Sequence, residues 1–188
     1  MSMNMKSSFA WVACGVLAII LLAGCEAGAG PALGPPVAEQ NLKTIGLLLP
    51  PPPAAIASYV PAVRTGNLLF VSGQLPMRDG KLLATGRVGE AVTEEQAKEA
   101  MKAAAMNALA VIRAELGTLD RVRRVVHVVG HVACTSDFGN QPQVTNAASD
   151  LFLQVFGRAR GSHSRLALGA AALPRNSPVE LAVIVEVE

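Results

Sequence analysis

The sequence predicts an α/β chain of the α+β sandwich kind, with one mixed sheet carrying two helices on one face. Three observations lead there. Branched, apolar runs with period-two alternation are interspersed with two long helical patterns, in the order strand, strand, helix, strand, helix, strand, strand. Both helical patterns carry their own start and stop signals. No further element remains to cover the second face of the sheet, so self-association is the expected way to close it.

Composition narrows the partners. The 188 residues, 51% hydrophobic, suffice for the core of one ordinary domain plus an extension. A formal net charge of +2 and an aromatic content of 4% argue against stacking or neutralising a nucleic acid strand, so no nucleic acid partner is expected. Arg121, Arg123 and Arg124, and Arg158 with Arg160, read as solvated basic edges.

The N-terminus departs from globular composition. Lys6 precedes an apolar run from Phe9 to Gly24, short for a membrane span and suited to the hydrophobic part of an export signal. It ends in Leu22-Ala23-Gly24-Cys25, which resembles the lipobox of bacterial lipoproteins. The resemblance implies cleavage before Cys25, diacylation of that cysteine, and a mature protein held on an envelope membrane by its lipid. The alternatives are an uncleaved anchor or a later start that would leave the protein in the cytoplasm. The organisation expected is therefore a signal over 1–24, a lipidated cysteine with tether, short helix and proline connector over 25–53, and a folded domain over 54–188. The three cysteines support neither a disulfide framework nor a metal set, and Cys134 is expected to be buried among valines.

After an Ala, Gly and Pro tether from Glu26 to Pro36, Val37 to Leu49 reads as one short helix with Leu42, Ile45 and Leu49 near one face. Pro50 to Pro53 then form a stiff extended connector. Tyr59–Val63 and Leu68–Gln74 read as a hairpin turned by Arg64-Thr65-Gly66-Asn67, and Met77–Ala91, with Gly80, Gly86 and Gly89, as a loop holding one short strand. Thr93 opens the clearest helix: Gln96 completes a capping box, acids fill the first turn, and Gly117 follows the end. Its apolar stripe is Ala97, Met101, Ala104, Ala105, Ala108, Val111 and Ile112, small enough for close approach to a sheet, with Lys98, Lys102 and Arg113 outward. Val122–Cys134 is a strand of branched residues. Gln141–Phe156 is a second helix with Pro142 in its first turn and Gly157 after it, burying Val144, Ala148, Leu151, Phe152 and Val155.

The last stretch reads as two strands, Ser164–Leu173 and Val179–Val187, hairpinned through Pro174-Arg175-Asn176-Ser177-Pro178. Alternation places Leu166 and Leu168 on a core face and Arg165, Ala167, Gly169 and Ala171 on the other; in the final strand Val179, Leu181, Val183, Val185 and Val187 oppose Glu180, Ala182, Ile184 and Glu186. A guanidinium on a floor of Ala and Gly suits a pocket for a small carboxylate, although an edge arginine paired with a surface acid fits the same pattern. A symmetric hairpin sets Glu180 opposite Ala171, roughly 20 Å along the sheet from Arg165. Those two share a site only across a subunit interface or through a different register.

The remaining candidates are weaker. His127 and His131 lie in a strand, where four residues separate the rings by about 13 Å, too far to share an ion alone. No metal is expected. His163 sits in a loop-like run beside Arg165, where solvation is the default.

Tyr59, Gly66-Asn67, Ser72-Gly73-Gln74 with Pro76, Asn146 with Phe152 and Phe156, Ser164-Arg165, Leu173-Pro174 and Val179-Glu180 together resemble the Rid family, the reactive-intermediate imine deaminases or YjgF-type proteins. The likeness covers Ser58 to Glu188, and the helix and proline run before it look like a divergent branch. It implies a chorismate-mutase-like, YjgF-like fold assembled as a homotrimer with pockets at the subunit clefts. It also implies hydrolysis of 2-aminoacrylate-type enamine or imine acids to 2-oxo acids and ammonia, with no cofactor. By position, Arg165 would grip the substrate carboxylate and Glu180 would orient or activate water. Tyr59, Ser72, Gly73 and Asn146 would line the pocket. Where relatives often carry cysteine two residues after the arginine this chain has Ala167, so a thiol is not required. Two other readings stay open: a non-catalytic envelope protein holding small carboxylates in the same trimeric cleft, and the ribonuclease activity ascribed to some relatives, which fits the charge and aromatic content poorly.

Overall fold

The structure, a computed structural model, describes residues 34–188; the stretch expected to be an export signal and Cys25 lie outside the described residues. The elements in order are α1 (Ala38–Thr44), β1 (Ala62–Thr65), β2 (Leu68–Gln74), β3 (Met77–Arg78), β4 (Lys81–Leu82), α2 (Glu94–Leu116), β5 (Val122–Ala133), α3 (Gln141–Gly161), β6 (Ser164–Ala170) and β7 (Val179–Val187). The main sheet has five strands in the order β1-β2-β7-β5-β6, antiparallel throughout except for the parallel pair β5 and β6, so the expected mixed α+β architecture is what the chain adopts. β3 and β4 form a separate two-residue ribbon where one short strand was expected.

α2 forms as its residues dictate. The Thr93 side chain accepts from the Gln96 amide and the Gln96 side chain returns the bond to Thr93, while Gly117 closes the helix in the left-handed region at φ 80°. Every residue of the expected stripe is buried. α3 runs to Gly161, beyond the expected Phe156, because Gly157 at φ 70° breaks the helical path and one further turn follows. α1 is shorter than its apolar pattern, ending at Thr44, and leaves Ile45 41% exposed. It nevertheless belongs to the core: Ala38 and Leu42 are buried, Asn41 donates to the Val155 carbonyl at 2.9 Å, and Glu39 accepts from the Leu119 amide at 3.0 Å. Arg160, expected to be solvated, instead donates to the carbonyls of Gly34 and Val122 at 2.7 and 2.9 Å.

The expected C-terminal hairpin does not form. β5 lies between β6 and β7, pairing in parallel with the first and antiparallel with the second. β7 alternates five apolar residues, each at most 1% exposed, and takes the position between β2 and β5 where both its edges are satisfied. β6, made of small and polar residues, is left at the margin. Glu180 consequently faces His131, not Ala171.

The faces of β6 are also the reverse of the expectation. Arg165 pairs with Val128 and Ala167 with Gly130, both core-facing, so Arg165, Ala167 and Gly169 lie on the helix side. Leu166 and Leu168 point to the open face, 49% and 44% exposed. The cause is the close approach of α3. A Cβ placed on Gly130 would sit 2.6 Å from Thr145 Oγ1, and one on Gly169 would sit 3.2 Å from Gln141 Nε2. Only small side chains fit beneath the helix there, and the leucines are turned away. With Val63 and Phe70, also exposed, they leave an apolar face spanning the sheet opposite the helices.

Candidate functional site

The candidate residues gather into two groups. In the first, Glu180 projects from the start of β7. Val71 pairs with Val183 but Gln74 pairs with Leu181, so Ser72-Gly73 carries one extra residue and β2 bulges beside the acid. The Glu180 carboxylate lies over Gly73: a Cβ at that position would be 2.0 Å from Oε1. Ser72 Oγ donates to the Val60 carbonyl at 2.7 Å, and the Ser72 amide donates to Pro61 at 2.9 Å. These two bonds hold the segment that carries Tyr59 against the bulge. Tyr59 and Gly73 both line a cavity of about 450 Å³.

Asn107 is the residue here that sequence reasoning missed. It is 1% exposed on α2, and its Nδ2 donates to the carbonyls of Leu75 and Met77 at 2.9 and 3.0 Å. The signal was present: a polar residue within an alanine-rich face needs buried partners, and here they are the backbone leaving β2.

The second group surrounds Arg165. Its Nη1 donates to Asn146 Oδ1 at 2.7 Å and to Ser149 Oγ at 3.0 Å. His163, expected in solvent, backs this pair. Its Nδ1 is 2.6 Å from the Gly161 carbonyl and so carries the proton, leaving Nε2, at 3.0 Å, to accept from the Ser149 hydroxyl. The ring stands edge-on to Phe152, with centroids 6.1 Å apart. Burial holds the imidazole below its ordinary pKa, and the neighbouring Arg165 charge acts in the same direction, against the Gly161 hydrogen bond. The guanidinium is thus held by neutral partners only. Ser149 escaped sequence reasoning, and His163 was expected in solvent, because their meeting depends on how α3 lies against β6.

The two groups do not meet within one protomer. Arg165 is level with Val128 of β5 and lies on the helix side, whereas Glu180 is level with His131 and lies on the open side. Three residues along β5 and two strand spacings across separate them, about 10 Å in each direction, with the sheet between. Among the described residues neither side chain forms an ion pair. Tyr59, Ser72 and Gly73 accompany Glu180; Asn146 accompanies Arg165. Of the other histidines, His127 donates from Nδ1 to Ser164 Oγ at 2.8 Å.

The fold is a mixed five-stranded sheet backed by helices, with Arg165 and Glu180 carried on its different faces. Residues 39–187 match the family profile described as "YjgF/chorismate_mutase-like, putative endoribonuclease". The chain belongs to this family. It is 41% identical to Protein TCP17 of Trypanosoma cruzi over 78% of this chain and 91% of that protein. It is 27% identical to the RutC family protein y4sK of Sinorhizobium fredii over 71% and 90%. Among solved structures, Atu1372 of Agrobacterium tumefaciens, a protein of unknown function, superposes with a TM-score of 0.73 at 44% identity, covering 80% of this chain and 92% of that one.

Proposed function

We propose that this chain hydrolyses reactive enamine or imine acids of the 2-aminoacrylate type to 2-oxo acids and ammonia, in pockets formed between subunits of a homotrimer. The observation that carries this reading is the separation just described: an arginine and a glutamate, each without an ionic partner among the described residues, stand on opposite faces of one sheet. A second copy docked on the open apolar face supplies the missing half. Exposed Val63, Phe70, Leu166 and Leu168 provide the surface that such docking would bury.

In the composite pocket Arg165, held in place by Asn146 and Ser149, grips the substrate carboxylate through its planar fork. The enamine tautomerises to the imine, whose carbon is already electrophilic. Glu180 orients a water and takes one of its protons as the oxygen adds to that carbon. The same carboxylate returns the proton to the nitrogen of the carbinolamine. The carbinolamine hydroxyl then gives up its proton, through the same carboxylate, to the nitrogen as the carbon–nitrogen bond breaks, so that ammonia leaves and the 2-oxo acid remains. No redox step or bound electrophile is needed, so no cofactor is invoked.

The test is 2-oxo acid formation from imino acids generated in situ, with the oligomer measured by light scattering. A trimer that accelerates hydrolysis, and loses the acceleration in Arg165→Ala, is the expected result. A monomer refutes the shared pocket. A well-folded trimer inert to every imino acid refutes the deaminase reading in favour of a protein that binds small carboxylates without turning them over.

A further inference from the structure

We propose that the cavity beside Gly73 is a subsite for a large apolar side chain, so that this chain prefers imino and 2-oxo acids bearing branched or aromatic groups over 2-aminoacrylate itself. This rests on the pocket assigned above and names the ligand class within it. The cavity, about 450 Å³, is walled by Pro50, Pro51, Pro53, Ile56, Tyr59 and Leu75. Gly73, over which the Glu180 carboxylate lies, is part of the same lining. A reacting carbon held at that carboxylate therefore has the proline-walled cavity beside it. A ligand with only a methylene beyond its α-carbon would leave most of such a space filled with water, at no gain in binding.

The walls suit an apolar group for two reasons. Proline rings fix φ and carry no backbone donor, so this strap presents hydrocarbon in a shape that costs little further ordering when a ligand arrives. Ile56, 50% exposed, and Tyr59, 43% exposed, are large apolar surfaces left uncovered at the same place. Asn107 anchors the facing backbone at Leu75 and Met77, so the opposite wall is rigid as well. Charged groups share the lining: Arg78, Asp79 and Arg175 also border the cavity. Their presence makes a second acidic group on the ligand the competing possibility, and the test includes it.

The experiment is calorimetric binding of stable 2-oxo acids to the full chain: pyruvate, 2-oxobutanoate, 4-methyl-2-oxopentanoate, phenylpyruvate and 2-oxoglutarate, each alongside turnover of the corresponding imine. Affinity is expected to rise about fourfold per buried methylene. 2-Oxoglutarate should fall well below the apolar acids of its length. Ile56→Ser, at a half-exposed position outside the core, should compress the ratio between 4-methyl-2-oxopentanoate and pyruvate, whereas Arg165→Ala should weaken all of them alike. A flat series, 2-oxoglutarate as the tightest ligand, or no binding of any 2-oxo acid overturns the proposal. A rising series without turnover upholds the subsite and refutes the deaminase reading; turnover with a flat series does the reverse.

Discussion

Replacing Gly73 with alanine isolates the position of the Glu180 carboxylate from everything else in the site. The new Cβ would fall 2.0 Å from Oε1, 2.8 Å from Cδ and 3.1 Å from Cγ of Glu180, where contacts under 3.0 Å essentially never occur, so the carboxylate must retreat by about 1 Å. The atoms met belong to the end of a flexible side chain, and the φ of Gly73 lies outside the left-handed region, so the backbone accepts alanine. Stability should therefore change by less than about 1 kcal/mol, with the reduced freedom of the unfolded chain acting in favour of the variant. A displacement of 1 Å in a group that orients the attacking water costs roughly 100-fold in rate. The loss should appear in kcat and leave KM nearly intact, because Arg165 lies in the other group and its grip is untouched. The assay is steady-state 2-oxo acid formation by Gly73→Ala protein, with urea unfolding measured in parallel. A folded Gly73→Ala trimer turning over at the unaltered rate refutes the role given to Glu180.

Two further expectations concern the scaffold. Gly130→Ala brings a Cβ to 2.6 Å from Oγ1 and 2.7 Å from Cγ2 of Thr145, itself fully buried, so α3 must lift from β5 and stability should fall by about 1–3 kcal/mol in urea unfolding. His163 is held neutral by burial beyond its ordinary tendency, so between its ordinary value of 6.5 and its lowered folded value the unfolded chain binds the proton and the folded one does not. Stability should thus be complete above the ordinary imidazole range, decline as pH falls through it towards the folded value, and level off below that. His163→Gln should remove this part of the slope while keeping a polar partner for Ser149, which thermal melts from neutral to mildly acidic pH would show.

What was legible in the chain was what local periodicity controls. The capping box at Thr93, the stripe of α2, the buried face of α3 and the alternation of β7 all follow from contacts within a few residues, and the structure reproduces them. Strand partnership is different in kind. Whether β7 pairs with β6 or inserts between β2 and β5 depends on which arrangement buries more of β7, a question about residues far away along the chain, from Val132 against Val179 to Leu68 against Glu186. The same holds for the faces of β6, decided by how closely α3 approaches Gly130 and Gly169. Candidate site residues were readable as types and positions. Their division into two groups, and the support from Asn107, Ser149 and His163, required the tertiary arrangement.

That division has a physical rationale. Had Arg165 and Glu180 shared one face in one protomer, within reach of each other, they would have formed an ion pair, and a ligand carboxylate would then have had to displace the glutamate before it could bind. Separation by the sheet keeps the guanidinium bonded to the neutral Asn146 and Ser149, and leaves the carboxylate over Gly73 without an ion pair among the described residues. A neutral His163 behind Ser149 adds no competing positive charge to the arginine's surroundings. In the proposed trimer an open face of one copy would meet the β6 edge of another, and the two charges would then face one ligand from opposite sides, spaced apart by the ligand itself. On the proposed function the separated charges and the uncovered apolar face are two consequences of one arrangement, in which each protomer's site would be completed by its neighbour.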